Sequence, residues 1–301
     1  MAYWKDYYTP TTVEEAVAIL ARYEGKACMI GGGTDLLLEI QQGHRPKMDA
    51  LVDPTRIEGL QEIVEEDGFL VIGAGVTHTT IVNDERVRSR GTCLVESCGV
   101  IGGPQVRNVA TLAGNIAHAL PAGDGTIGTL ALGGEIQVAG PDGIHWFPME
   151  ETFIGPGKST VDAKQMMIAR IRFRPTGDQE GSAFRRVMRP QGIALPMIGM
   201  AARVQLQGDV IESCRIAIGP ASKVPFLAVE TMKFLAGQPP TSDTFAKAAE
   251  VALEEVQLRT SPHRASAEYR EEMIRVQLPK TVAKAVERAQ SGQAVPEGVG
   301  A

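Results

Sequence analysis

Two runs of small and polar residues carry the chemistry open to this chain. The first is Ala27-Cys28-Met29-Ile30-Gly31-Gly32-Gly33-Thr34-Asp35-Leu36-Leu37-Leu38. A short apolar run ends in three glycines, and a Thr-Asp pair restarts a regular element, the pattern of strand, bare turn and helix. Three positions without side chains let another molecule approach the backbone closely. Thr34 is placed to cap the helix, its hydroxyl accepting from a first-turn amide. Unpaired amides and the helix dipole at such a start favour an anion, by about 0.3–1 kcal/mol when exposed. The run therefore reads as a phosphate or pyrophosphate cradle, set against the commoner use of such glycines as a tight turn. Neither of two well-known phosphate loops is present. Leu36 stands where G-x-G-x-x-G would need its third glycine, and the absence of G-x-x-x-x-G-K-[ST] argues against a Walker-type ATPase.

The second run covers residues 101–124, from Ile101-Gly102-Gly103-Pro104 to Pro121-Ala122-Gly123-Asp124. It is too rich in small residues for a core helix or a plain strand, and long irregular segments are usually functional or disordered. Its Val, Ile, Leu and Ala content argues against disorder. Thr111, Asn115 and Asp124 offer a hydroxyl, an amide and a carboxylate, and the backbone around Gly114 is bare. A ligand combining ribose, phosphate and heterocycle would use all of these. Asp124 is also suited to cap a helix over 126–132, a role compatible with the first.

Composition narrows the field. With 301 residues and 44% hydrophobic content the chain can build two or three cored domains. A net charge of -6 argues against nucleic acid or an anionic membrane as the main partner. No apolar stretch is long enough to span a bilayer, and Met1-Ala2-Tyr3-Trp4-Lys5-Asp6 lacks a basic-then-apolar leader, so the expected compartment is the cytoplasm. Cys93 and Cys98 have ferredoxin-like spacing without a close third ligand. No H-x-x-x-H or C-x-x-C pair occurs, so no metal site is expected.

The elements that must position the two runs follow from local pattern. Tyr7-Tyr8 reads as a strand, Thr12 and Glu15 as a capping box, and Val13, Ala16, Val17 and Leu20 as one helical face, with Gly25 ending the helix. With a strand at 50–52, the first segment is a small βαβ unit. Asp67-Gly68 joins a hairpin, 79–83 and 94–100 are short helices, 135–139 and 144–147 pair, and 166–173 is a strand with one wet face. Residues 174–178 read as a linker. Then three strands (182–188, 199–206, 210–218) precede helices over 227–235, 242–258, 266–278 and 280–289. The fold class is α+β: a two-lobed domain over 1–175 (lobes about 1–58 and 59–175), and a second α+β domain over 176–291 with a three-stranded antiparallel sheet and helices. Residues 292–301 form a flexible tail.

Taken together, these motifs make the chain resemble the FAD-binding medium subunit of the molybdenum hydroxylases, the family of carbon monoxide, nicotinate and xanthine dehydrogenases. The motifs are Gly31-Gly32-Gly33-Thr34-Asp35-Leu36, Gln105-Val106-Arg107-Asn108-Val109-Ala110-Thr111-Leu112-Ala113-Gly114-Asn115, and Pro121-Ala122-Gly123-Asp124. Arg264-Ala265-Ser266-Ala267-Glu268-Tyr269-Arg270 is similar to the family's C-terminal helix signature. Nearly the whole chain is covered.

The resemblance implies FAD as cofactor. Gly31, Gly32, Gly33, Thr34, Asp35 and Leu36 would hold its pyrophosphate. Thr111, Ala113, Gly114, Asn115 and Asp124 would line the rest, Ile101 and Ile168 would touch the flavin, and Arg185 would set a cation at its pyrimidine end. It implies partners: a molybdenum-cofactor large subunit and a two-iron two-sulfur small subunit, as a heterotrimer or a dimer of such trimers, with NAD+ or another acceptor. Ala113 departs from the family's usual first glycine and Gly192 from a common aspartate. No cysteine-rich insertion follows Asp124, which excludes the extra cluster of the 4-hydroxybenzoyl-CoA reductase branch. Two rivals stand beside this reading. One is a standalone FAD-dependent oxidoreductase, with His118 as its sole acid-base candidate; the other is a non-catalytic nucleotide-binding module.

Overall fold

The computed structural model describes residues 3–189 and 194–298. Strands β1 (Asp6–Tyr8), β2 (Ala27–Met29) and β3 (Ala50–Val52) pair in parallel in the order β1-β3-β2. Parallel strands need crossovers, supplied by α1 (Val13–Arg22) and α2 (Leu36–Gln41). At the start of α1, Thr12 Oγ1 accepts from the Glu15 amide at 3.1 Å, while the Glu15 carboxylate accepts from the Thr11 amide at 2.8 Å. The helix stops at Arg22, and Gly25 turns the chain with φ +83°. The start of α2 differs from expectation. Asp35, not Thr34, holds the cap position, and its side chain makes no capping bond.

The second body is an antiparallel sheet with helices on one face. β4 (Ile63–Glu66) and β5 (Phe69–Gly73) form a hairpin through Asp67 and Gly68, both at positive φ as its tight turn requires. Six helices follow: α3 (His78–Asn83), α4 (Glu85–Arg90), α5 (Thr92–Gly99), α6 (Pro104–Arg107), α7 (Leu112–Ala117) and α8 (Asp124–Ala131). Then come β6 (Glu135–Gly140), β7 (Gly143–Pro148), the small β8 (Phe153–Gly155) and β9 (Lys158–Ser159) hairpin, and β10 (Met167–Phe173). The sheet order is β4-β5-β10-β6-β7. Every residue of α5 and of α8 is buried, so these two helices are packed on all sides.

Residues 101–124 are more regular than their composition suggests. Pro104 starts α6, and Thr111 caps α7 by accepting from the Gly114 amide at 3.0 Å. Small residues hide such short helices because they leave no apolar period to read.

The third body is a meander of β11 (Glu180–Met188), β12 (Pro196–Gln207) and β13 (Val210–Gly219), with β14 (Phe226–Leu227) beside β13. The sheet thus has four strands where three were expected, because a two-residue edge strand shows no alternation. Helices α9 (Val229–Leu235), α10 (Ser242–Glu255) and α11 (Ala267–Ser291) cover it. Two helices were expected around Pro279, but α11 runs through it. An interior proline costs about 3 kcal/mol. Ile274 and Leu278 before it and Val282, Ala285 and Val286 after it enter one core. Burying such side chains gives roughly 1.5–3 kcal/mol for each large one, which outweighs the break.

The bodies are joined at a buried pair. Glu96 on α5 and Arg288 on α11, each 2% exposed, meet at 2.6 Å. Glu96 also accepts from the Phe184 amide at 2.7 Å, and Arg288 donates to the Ser182 carbonyl at 2.6 Å. Part of the tail expected to be flexible is held at the same place: the Glu297 amide donates to Glu96 at 2.7 Å and the Val295 carbonyl accepts from Arg288 at 2.6 Å. β11 is therefore anchored to α5 at its centre.

Candidate functional site

The two glycine-containing runs meet. A Cβ on Gly31 would sit 2.8 Å from Thr111 Oγ1, and one on Gly32 would collide with the Val109 carbonyl. Gly33 adopts φ +69° to complete the turn. Only residues without side chains allow this approach. Beside the contact opens a cleft of about 420 Å³, within the roughly 300–1,000 Å³ of small-molecule sites.

One wall of the cleft is a row of available amides. The Ile30 amide is still tied to the sheet, donating to the Val52 carbonyl at 2.9 Å, and the Leu37 amide already bonds into α2 through the Gly33 carbonyl at 3.0 Å. Among the described residues, the amides of 31–35 between them meet no backbone acceptor. Successive free N–H groups at a turn before a helix make a concavity for an anion.

Thirteen of the fourteen expected residues line this one cleft. Gly31, Gly32, Gly33, Thr34, Asp35 and Leu36 form the amide wall. Ile101, Thr111, Ala113, Gly114, Asn115 and Asp124 lie along the other side, and Ile168 reaches in from β10. Ala113 is 7% exposed, so its methyl group is absorbed by the core beneath α7. Asn115 also plays a second role, because its Oδ1 accepts from both the amide and the hydroxyl of Thr126 at 3.0 Å. It thereby caps α8, the part expected of Asp124. Asp124 is instead the first residue of α8, and its Oδ2 lies 2.7 Å from Arg186 Nη1. Burial lifts the Asp124 carboxyl to about 6, against the pull of Arg186.

The fourteenth residue, Arg185, is not in the cleft. Its guanidinium meets Glu297 at 2.8 Å on the opposite face of β11. Side chains alternate along a strand. Ser182 and Arg186 point towards α5 and the cleft, where Ser182 Oγ accepts from the Cys93 amide at 3.2 Å. Arg185 follows Ala183 and Val187 towards the C-terminal core. On β11 the cation at this end of the cleft is therefore Arg186 and not Arg185, and it also donates to the Val100 carbonyl at 2.5 Å. Gly192, the other noted departure, lies outside the described residues.

Glu39, Arg45 and His78 also line the cleft and were not anticipated in this role. Glu39, one helical turn after Asp35, accepts from His118 Nε2 at 2.9 Å, and Arg45 lies 2.5 Å from its other oxygen. Burial pushes the Glu39 carboxyl up, and His118 and Arg45 together hold it below its ordinary value. The i, i+4 spacing of Asp35 and Glu39 is the signal that could have paired them on one face. The third, His78, is fully buried with its ring on the cleft wall and Nδ1 3.3 Å from Cys98 Sγ. Burial, and then the charge of Arg107, lower its pKa to about 4, so it is neutral at pH 7.

This donor set fits FAD. The amide row and the tight glycine contact suit a diphosphate, Ile101 and Ile168 offer apolar surface to a planar ring, and Arg186 sets positive charge at one end. Comparisons with known proteins agree. A family model described as the FAD binding domain in molybdopterin dehydrogenase matches residues 3–174, and one described as the CO dehydrogenase flavoprotein C-terminal domain matches residues 182–285. The xanthine dehydrogenase FAD-binding subunit of Escherichia coli O157:H7 is 28% identical over 285 residues, covering 94% of this chain and 96% of that one. The nicotinate dehydrogenase FAD-subunit of Eubacterium barkeri is 29% identical over 245 residues, covering 79% and 82%. In structure, the carbon monoxide dehydrogenase of Hydrogenophaga pseudoflava superposes with a TM-score of 0.88 at 25% identity, over 94% of this chain and 97% of that chain. The chain belongs to the FAD-binding subunit family of the molybdopterin dehydrogenases, an oxidoreductase family, with a CO dehydrogenase flavoprotein domain behind its FAD-binding domain.

Proposed function

We propose that the chain is the electron-transfer subunit of a multi-subunit molybdenum hydroxylase in the cytoplasm. A partner carrying two-iron two-sulfur clusters delivers electrons from a molybdenum-bearing large subunit, and NAD+ or another acceptor removes them. Bound FAD supplies the redox chemistry between these two steps. The chain's own residues bind and tune. The amides of 31–35 take the diphosphate charge. Thr111 and Asn115 hold the segment opposite, and Ile101 and Ile168 exclude water from the ring's faces. Arg186 favours the negative charge gained on reduction. We place the FAD-binding domain at 1–175 and the C-terminal domain at 176–291.

The observation that carries this reading is the amide row closed against Thr111 by Gly31 and Gly32. The standalone rival needs a free acid-base residue over the ring. Its candidate, His118, is held by Glu39. Purification of the chain from its native host tests the proposal. Co-purifying molybdenum and iron-sulfur polypeptides, with bleaching of the visible flavin band by NADH under anaerobic conditions, are expected for the NAD+ case. A yellow protein that travels alone would support the standalone enzyme instead.

A further inference from the structure

The segment between α10 and α11 contains a motif that cofactor binding alone leaves unexplained, Arg264-Ala265-Ser266-Ala267-Glu268-Tyr269-Arg270. Its later residues are structural. Ser266 caps α11 by accepting from the Tyr269 amide at 3.2 Å. Arg270, 1% exposed, donates to the Arg259 carbonyl at 2.7 Å and so ties the segment down from beneath. The segment also closes on itself: the Ser261 amide donates to the Ala265 carbonyl at 2.9 Å, and the Arg264 amide to the Ser261 carbonyl at 3.1 Å. Arg189, at the end of β11, donates to the His263 carbonyl at 2.8 Å. A surface loop secured at so many points presents its side chains in set directions.

Arg264 is the residue this loop presents to the cleft. Asp124, the carboxylate of that end, is already engaged by Arg186 at 2.7 Å. Among the described residues no carboxylate lies within ion-pair distance of Arg264. Two guanidinium groups thus face one carboxylate, which leaves a surplus of one positive charge at that end of a half-enclosed cleft. Charges there are screened less than at an open surface. Two-electron reduction with uptake of one proton leaves one negative charge on the cofactor, and a nearby uncompensated cation favours that form.

We propose that Arg264 sets the reduction potential of the cofactor, as the unpaired cation that the C-terminal domain contributes to the cleft. This rests on the reading that FAD occupies the cleft. Arg264 is a tuning residue and not a holding one: diphosphate binding lies with the amides of 31–35.

The test is a spectroelectrochemical titration of the FAD-loaded full chain as wild type, R264M and R264K, with FAD occupancy measured on each. In R264M the midpoint potential is expected to move to a more negative value while occupancy stays near that of wild type. R264K, which retains the charge, is expected to stay close to wild type. Equal potentials in loaded wild type and R264M, or an equal shift in R264K and R264M, would overturn the role of Arg264 and leave the cofactor reading standing. A wild-type chain that takes up no FAD would overturn both.

Discussion

Arg186 Nη1 lies 2.7 Å from Asp124 Oδ2, and both side chains are more than nine-tenths buried. The contact joins β11 of the C-terminal sheet to the first turn of α8, across the end of the cleft. Removing one partner of a buried pair strands the other charge, at about 3–5 kcal/mol. R186M should therefore lower unfolding stability by that order and weaken FAD binding. R185M loses only the half-exposed pair with Glu297, a contact of about 0–1 kcal/mol. Urea unfolding and FAD titration of the two neighbours check this. Equal losses from both variants would contradict the alternation of β11.

The same carboxylate gives a pH signature. Asp124 rises from 3.8 to about 6, mainly through burial. Between those values the folded chain holds the proton more tightly, so stability falls as pH rises through the window, by about 3 kcal/mol in all. His78 runs the other way. Burial lowers it from 6.5 to about 4, so the unfolded chain takes the proton first and stability falls as pH drops through that window, again by about 3 kcal/mol. In the cofactor-free wild type the two slopes offset. D124N should steepen the loss of unfolding midpoint on acidification from pH 6 to 4, and H78Q should flatten or reverse it. Thermal melts across that range measure both.

Gly32 is the tightest point of the site. G32A would drive a methyl group into the Val109 carbonyl, and overpacking of this kind costs about 1–3 kcal/mol. Because the strain falls between the two runs, FAD affinity should drop by at least about tenfold, the equivalent of 1.4 kcal/mol. Gly43 is the control. It has φ +77°, but a Cβ at that position would meet nothing within 4 Å, so G43A should cost about 1–2 kcal/mol of backbone strain and leave FAD affinity unchanged. FAD fluorescence titration separates them.

Much of this site was legible in the sequence, because its parts are local. Three consecutive glycines before Thr34 read as a bare turn from local sequence alone, and Thr111, Gly114 and Asn115 stand close together in one small-residue run. What escaped reading depends on partners distant in sequence. Choosing Arg186 over Arg185 requires knowing which face of β11 meets α5, and Phe184 and Val187 make both faces apolar. The Glu39–His118 pair spans 79 positions. Pro279 ends a helix by every local rule, and only the core shared by Leu278 and Val282 overrides it. β14 is too short to alternate. In each case tertiary contact decided between two locally acceptable states.

The central claim is that main-chain amides at 31–35 grip a diphosphate. Calorimetric titration of the cofactor-free chain with FAD, ADP and riboflavin tests it most directly. Tight FAD binding, competition by ADP and much weaker binding of riboflavin are the expected results. Riboflavin binding as tightly as FAD, with no competition from ADP, would contradict it.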